Sequence, residues 1–139
     1  SKLCKESKKF KFVLLGATKN EIRLAEEFCN GFNNPKSVVN ICGKSKIDEL
    51  PSIVNDIDLL VTNDTGTMHL AIALGIKTIS LFGPTNLNEF GPYQDYNIHR
   101  VVNTGNPRFV QDRQIDFKSL NLMEKIGIDQ VYSEIKRAI

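Results

Sequence analysis

Apolar runs and clusters of small polar residues alternate along this chain. Phe10-Lys11-Phe12-Val13-Leu14-Leu15 has the length of a buried strand and is stopped by Gly16. Ile22, Ala25, Phe28, Cys29 and Phe32 then recur at threes and fours, which predicts a helix over residues 21–32. Asn33-Asn34-Pro35 breaks it. Ser37-Val38-Val39-Asn40-Ile41-Cys42 reads as a second strand, stopped by Gly43, and Ile47, Leu50, Ile53 and Val54 mark a short amphipathic helix, with Pro51 either inside it or marking its first turn. Residues 58–62 form the third predicted strand. Met68, Ala71, Ile72 and Leu74 belong to the helix that follows, with Gly75 as its C-terminal stop. Thr78-Ile79-Ser80-Leu81-Phe82 is the fourth strand, closed by Gly83-Pro84-Thr85, and residues 98–102 are the fifth. Residues 84–97 and 103–120 are rich in Asn, Pro and Gly and read as loops. In the tail, Val131, Ile135 and Ile139 recur every four residues behind Asp129, the expected helix cap.

Strands that are apolar along their whole length, separated by helices, are the signature of a parallel sheet buried on both faces. Right-handed crossovers place the helices on the two sides. The fold class is therefore α/β, a Rossmann-like parallel sheet with helices on both faces. The pattern shows no internal repeat, and a chain of 139 residues matches one domain.

Composition narrows the function classes. Hydrophobic residues make up 41%, enough for a real core. A formal net charge of +2 argues against a nucleic-acid partner, which calls for a strongly basic surface. Lys2, Lys5, Lys8 and Lys9 crowd the head and read as a solvated helix end. Cys4, Cys29 and Cys42 are widely spaced, with no zinc-type spacing, and read as reduced thiols of a cytosolic protein. No apolar run reaches the roughly 18–20 residues of a membrane span, and no signal peptide is visible. The chain opens without Met, so a fragment is expected.

The densest chemistry lies at the third strand's exit. Asp64, Thr65, Gly66, Thr67 and His69 gather a carboxylate, two hydroxyls, a glycine and an imidazole where a strand hands over to a helix. In an open α/β sheet ligands bind at this carboxyl edge. The new helix presents free N–H groups and a dipole that favours an anion. Asp64 reads either as a helix cap or as an acceptor for ligand hydroxyls. Gly66 lets a ligand approach the backbone. His69, four residues after Thr65, shares its helix face and is read as a packed residue or as a pyrophosphate or sugar contact. Gly83-Pro84-Thr85 exits on the same edge, as a plain turn or as a second wall. Glu21, behind Gly16-Ala17-Thr18, is a first-turn helix carboxylate or an acceptor for ribose hydroxyls. Neither GxGxxG nor GxxxxGK[ST] occurs, which leaves a Rossmann dehydrogenase and a P-loop enzyme without support.

Residues 58–75, with Leu81-Phe82-Gly83-Pro84-Thr85 and Gly91-Pro92, resemble the bacterial heptosyltransferase family, the ADP-heptose:lipopolysaccharide glycosyltransferases. The match rests on Asp64-Thr65-Gly66, on His69 three residues later and on the Leu-Phe-Gly-Pro-Thr strand exit. Leu14-Leu15-Gly16 and Ile41-Cys42-Gly43-Lys44-Ser45 look like further family strand ends. The resemblance covers residues 10–102, with a weaker match at 123–131. It implies the carboxyl-terminal, donor-binding half of a two-domain GT-B glycosyltransferase. Asp64, Thr65, Gly66 and Thr67 then contact the sugar and diphosphate with His69 nearby, Glu21 is the ribose-binding acid at a one-residue offset, and Ser45 lies by the adenine. The acceptor domain, and with it the catalytic base, lies outside this chain, so no catalytic residue is assigned here and the isolated piece is expected to be inactive. The first strand and helix of the donor domain are likewise expected to be missing, with residues 1–9 the remnant of that helix. The intact protein is expected to transfer heptose with inversion, without metal or cofactor, from an ADP-sugar donor to a lipopolysaccharide inner-core acceptor. It is expected in the cytoplasm, with peripheral association at the inner face of the inner membrane left open.

Two other readings compete. One is a sugar-nucleotide epimerase of the same architecture. The other is a non-catalytic, flavodoxin-like binding module, which requires a closed sheet with covered faces. A donor-domain fragment instead leaves a raw edge and an uncovered apolar patch.

Overall fold

The computed structural model describes residues 10–32, 35–104 and 121–139. The lysine-rich head, Cys4, the Asn33-Asn34 break and residues 105–120 of the second expected loop lie outside them. The described chain forms two compact units, meeting in sequence at Leu50 and Pro51. All five expected strands are present and every ladder is parallel, divided by hydrogen bonding into a two-stranded and a three-stranded sheet.

The first unit holds β1 (Phe12–Leu14), α1 (Lys19–Asn30) and β2 (Val38–Asn40), with a 3-10 turn at Pro35–Ser37. The helix begins two residues earlier than its apolar spacing suggests, because Thr18 and Glu21 form a capping box. Phe12, Phe28 and Phe32 pack together, with ring centroids 5.2–6.5 Å apart, and fasten α1 to one face of the ladder. On the other face the register partners Val13 and Val39 are 39% and 49% exposed. The fully covered sheet of a self-contained module is not seen at these positions.

The second unit holds β3 (Leu60–Asn63), α3 (Gly66–Ala73), β4 (Thr78–Phe82), α4 (Leu87–Phe90), β5 (His99–Asn103) and α5 (Ile128–Ala138). A short helix, α2 (Leu50–Asn55), follows a 3-10 turn at Ile47–Glu49 and carries Pro51 in its first turn, the second of the two placements that the sequence admits. Strand order is β3-β4-β5, with Asn63 opposite Leu81 and Thr78 opposite His99. Alternation sends Ser80, Phe82 and Val101 to one face and Ile79 and Val102 to the other. Phe82 packs with Met68 and Ile72 of α3, and Leu87 of α4 and Val101 close the cluster. Arg100, on the opposite face, donates to Glu134 of α5 at 3.0 Å. Helices therefore cover both faces of this sheet, as the apolar strands require.

Three local expectations change. Residues 84–97 contain the one-turn helix α4, because Asn86 caps it through the Asn88 N–H (3.0 Å). Asp129 is not the cap of α5. That position is Gly127, and Asp129 lies in the first turn, where its charge still suits the dipole. Likewise the backbone cap of α3 is Thr65 rather than Asp64. Gly75 ends α3 as expected. At φ +71° it takes the left-handed conformation, and the Gly75 and Ile76 amides donate back to Ile72 (3.0 Å) and Ala71 (2.9 Å).

Candidate functional site

The second unit brings Asp64, Thr65, Gly66, Thr67 and His69 together at the carboxyl end of β3. The parallel strands β3 and β4 finish on one edge, so this joint and the Gly83-Pro84-Thr85 exit share it. The Met68 and His69 amides turn back to the Thr65 carbonyl (3.0 and 3.4 Å). The Thr65 side chain caps nothing. Its Oγ1 lies 3.3 Å from Thr62 Oγ1 instead. The Gly66 and Thr67 N–H groups therefore lack a side-chain cap and carry the positive end of the α3 dipole. A Cβ placed on Gly66 would meet nothing within 4 Å, and its φ is not positive. Neither the fold's packing nor its backbone needs a glycine there.

Asp64 and His69 flank this helix start. Asp64 Oδ1 stands 3.9 Å from His69 Nε2, too far for a hydrogen bond but close enough to face one small group together. The Asp64 side chain is 16% exposed and that of His69 is 40% exposed, so both are open to a ligand. The imidazole stacks against Tyr93 (centroids 6.5 Å, planes at 21°). Tyr93 follows the Gly91-Pro92 pair in sequence, but its proximity to His69 is invisible there because the contact spans a loop. Gly83 has a structural reason of its own, since a Cβ on it would come within 2.6 Å of Met123 Sδ.

Glu21 and Ser45 belong to the first unit. Glu21 Oε2 accepts from Ala17 N (3.0 Å), Thr18 N (2.8 Å) and Thr18 Oγ1 (2.8 Å). These donors, the Thr18 amide foremost, hold its carboxyl below the usual range. The first-turn role is thus filled by one oxygen, and Oε1 is the one left to a ligand. Ser45 is half-buried in the bend beyond Gly43. Gly43 takes φ +71° and donates to the Gly16 carbonyl at 2.7 Å, tying the exits of β1 and β2 together. Cys42 is buried and Cys29 half-buried, both free thiols. Burial pushes the Cys42 thiol up.

A cavity of about 660 Å³ in the second unit is lined by Tyr93, His99, Arg100, Glu134 and Arg137, among others, and by none of the donor-contact residues expected from the sequence. Its charges satisfy one another: Glu134 accepts from Arg100 and, at 2.8 Å, from Arg137. His99 was not singled out by the sequence pattern. It is buried, with Nδ1 3.1 Å from Thr78 Oγ1, and burial lowers its pKa against the opposing pull of Asp95. Among the described residues no group of three His, Cys, Asp or Glu side chains converges as metal ligands do, and no helix is long and apolar enough to cross a membrane.

Comparison with known proteins bears on this geometry. Lipooligosaccharide heptosyltransferase 2 of Campylobacter jejuni (serotype O:6, strain 81116) is 29% identical over 132 residues, which are 94% of this chain and 42% of that protein. Lipopolysaccharide heptosyltransferase 1 of Campylobacter coli is 30% identical over 105 residues, 74% of this chain and 30% of that one. A crystal structure of a family 9 glycosyl transferase from Veillonella parvula matches with a TM-score of 0.71 at 25% identity, over 94% of this chain and 36% of its own. The structure of the Escherichia coli ADP-heptose lps heptosyltransferase II shares the fold (TM-score 0.65, 21% identity, 96% of this chain and 40% of that one). The chain thus spans less than half the length of these relatives. The model of glycosyltransferase family 9 (heptosyltransferase) matches residues 2–120, and the chain belongs to that family.

Proposed function

We propose that this chain is the donor-binding part of a heptosyltransferase that moves heptose from ADP-heptose to a lipopolysaccharide inner-core acceptor. One observation carries the assignment: an α3 start with no side-chain cap, open above Gly66 and flanked by Asp64 and His69. The Gly66 and Thr67 amides and the two threonine hydroxyls donate to diphosphate oxygens. Asp64, an acceptor, takes sugar hydroxyls rather than phosphate, because like charges repel. His69 donates an imidazole N–H to the same region. Glu21 Oε1 accepts from the ribose, and Ser45 lies by the adenine.

In the transfer, the acceptor hydroxyl attacks the anomeric carbon from the side opposite the diphosphate. The carbon–oxygen bond to ADP breaks, the hydroxyl proton passes to a base, and the configuration inverts. No residue of this chain is assigned as that base. The negative charge growing on the departing diphosphate is met by fixed amides and hydroxyls, a stabilisation that needs no metal. The enzyme works in the cytoplasm, where its donor is held, and meets its acceptor at the inner membrane face.

Calorimetric titration of the protein with ADP, ADP-sugars and UDP tests the assignment. Saturable binding of the adenine diphosphates in preference to UDP is expected. Preference for UDP, or no nucleotide binding by the folded protein, overturns it. Asp64→Ala and His69→Ala are each expected to weaken ADP-sugar binding by about 10-fold or more, the scale of a hydrogen bond to a charged group, with unchanged melting temperature.

A further inference from the structure

We infer that Tyr93 is a positioning residue for His69, holding its imidazole in the plane that faces Asp64. The inference rests on the donor-site reading for its consequence in binding, but the contact itself is independent of it.

The segments that carry the two rings share a core. Leu87 of α4 packs into the cluster of Met68 and Ile72, so α3 and the segment after β4 share one core. The Gly91 amide donates to the Leu87 carbonyl at 2.8 Å, and Gly91 and Pro92 are both buried. A Cβ on Gly91 would lie 2.4 Å from that carbonyl oxygen, so the turn closes tightly on α4. Tyr93 emerges from this anchored base, and its hydroxyl donates to the Glu89 carbonyl at 3.3 Å. The ring is therefore set at its foot, and the long, exposed hydroxyl contact adds little to that placement. It lies nearly parallel to the imidazole, within the separation at which aromatic pairs attract.

At its Nε2 edge the imidazole meets Asp64 Oδ1 only at 3.9 Å, beyond hydrogen-bond reach. Asp64 alone does not fix the ring of a side chain that is 40% exposed. Tyr93 supplies the second constraint. It stays 68% exposed itself, so its ring is not held in place by a core.

The test is a double-mutant cycle on the intact protein with ADP as the probe. Tyr93→Leu is expected to weaken ADP binding about 2- to 10-fold, the range of aromatic pair energies. Tyr93→Phe keeps the ring and is expected to bind as the unaltered protein does. In a His69→Ala background Tyr93→Leu is expected to change nothing further. In parallel, the His69 side-chain rotamer populations, read from Hα–Hβ scalar couplings that ring currents do not affect, are expected to spread over several rotamers in Tyr93→Leu and to hold in Tyr93→Phe. A Tyr93→Leu penalty that persists without His69, or rotamer populations indifferent to Tyr93, overturns the inference. If the unaltered protein binds no ADP, the donor-site reading falls, and the rotamer populations alone decide whether Tyr93 positions His69.

Discussion

Gly66 separates fold from function at the scale of one residue. A methyl group there meets open space, and alanine suits a helix better than glycine. Gly66→Ala is therefore expected to leave thermal stability equal or higher, while ADP affinity falls about tenfold as the methyl occupies the space of the approaching diphosphate. An unaltered ADP affinity removes the case for close backbone approach. Asp64 presents the reverse relation. The motif around it is legible as polar equipment at a strand exit, but it admits a capping role beside the ligand-binding one. The structure moves the cap to Thr65 and leaves Asp64 facing His69, which weakens the purely structural reading. No spacing rule reveals that, because one residue of shift in a helix start is below the reach of periodicity.

At the scale of elements, the capping box of α1 shows how local chemistry overrides apolar spacing. Thr18 accepts from the Glu21 amide (3.2 Å), while Glu21 returns to the Thr18 and Ala17 amides. Thr18→Ala is expected to cost about 1 kcal/mol in denaturant unfolding. The pH dependence follows in sign. The Glu21 carboxyl lies below its ordinary 4.5 in the fold, so its contribution is present above that value and is lost as pH falls through the depressed one. Glu21→Gln is expected to flatten that acid limb. If the ribose reading also holds, the same variant weakens ADP, and the two readouts separate the helix role from the ligand role. Elements β4 and α3 were plain in sequence because each is an apolar block with a clear stop. The helix α4 was hidden, since four residues among Asn, Pro and Gly leave no periodicity to detect.

For the whole molecule, the buried polar pair of Thr78 and His99 links strand register to solution behaviour. Register sets them opposite each other, and burial disfavours the charged imidazole. Between the ordinary histidine value of 6.5 and the lower folded value, the unfolded chain takes up a proton that the folded chain refuses, so stability falls as pH falls through that window. Melting temperature is expected to drop below about pH 6.5, and His99→Gln is expected to lessen that slope. An identical slope in the variant removes His99 as its source.

Alternation of strand and helix, carried by covalent order and by residue hydrophobicity, was enough to establish a parallel α/β fold, and short polar strings at strand exits were enough to mark Asp64 to His69 and the family they resemble. Those features are local, written within a few residues of one another. Tertiary structure decided what depends on residues far apart in the chain: the stack of Tyr93 on His69, the buried partnership of Thr78 with His99, the bridge of Glu134 between two arginines, and the distribution of five strands between two sheets. Each of these is set by packing and register, which place side chains from separate elements against one another, and no pattern read along a single segment contains that information.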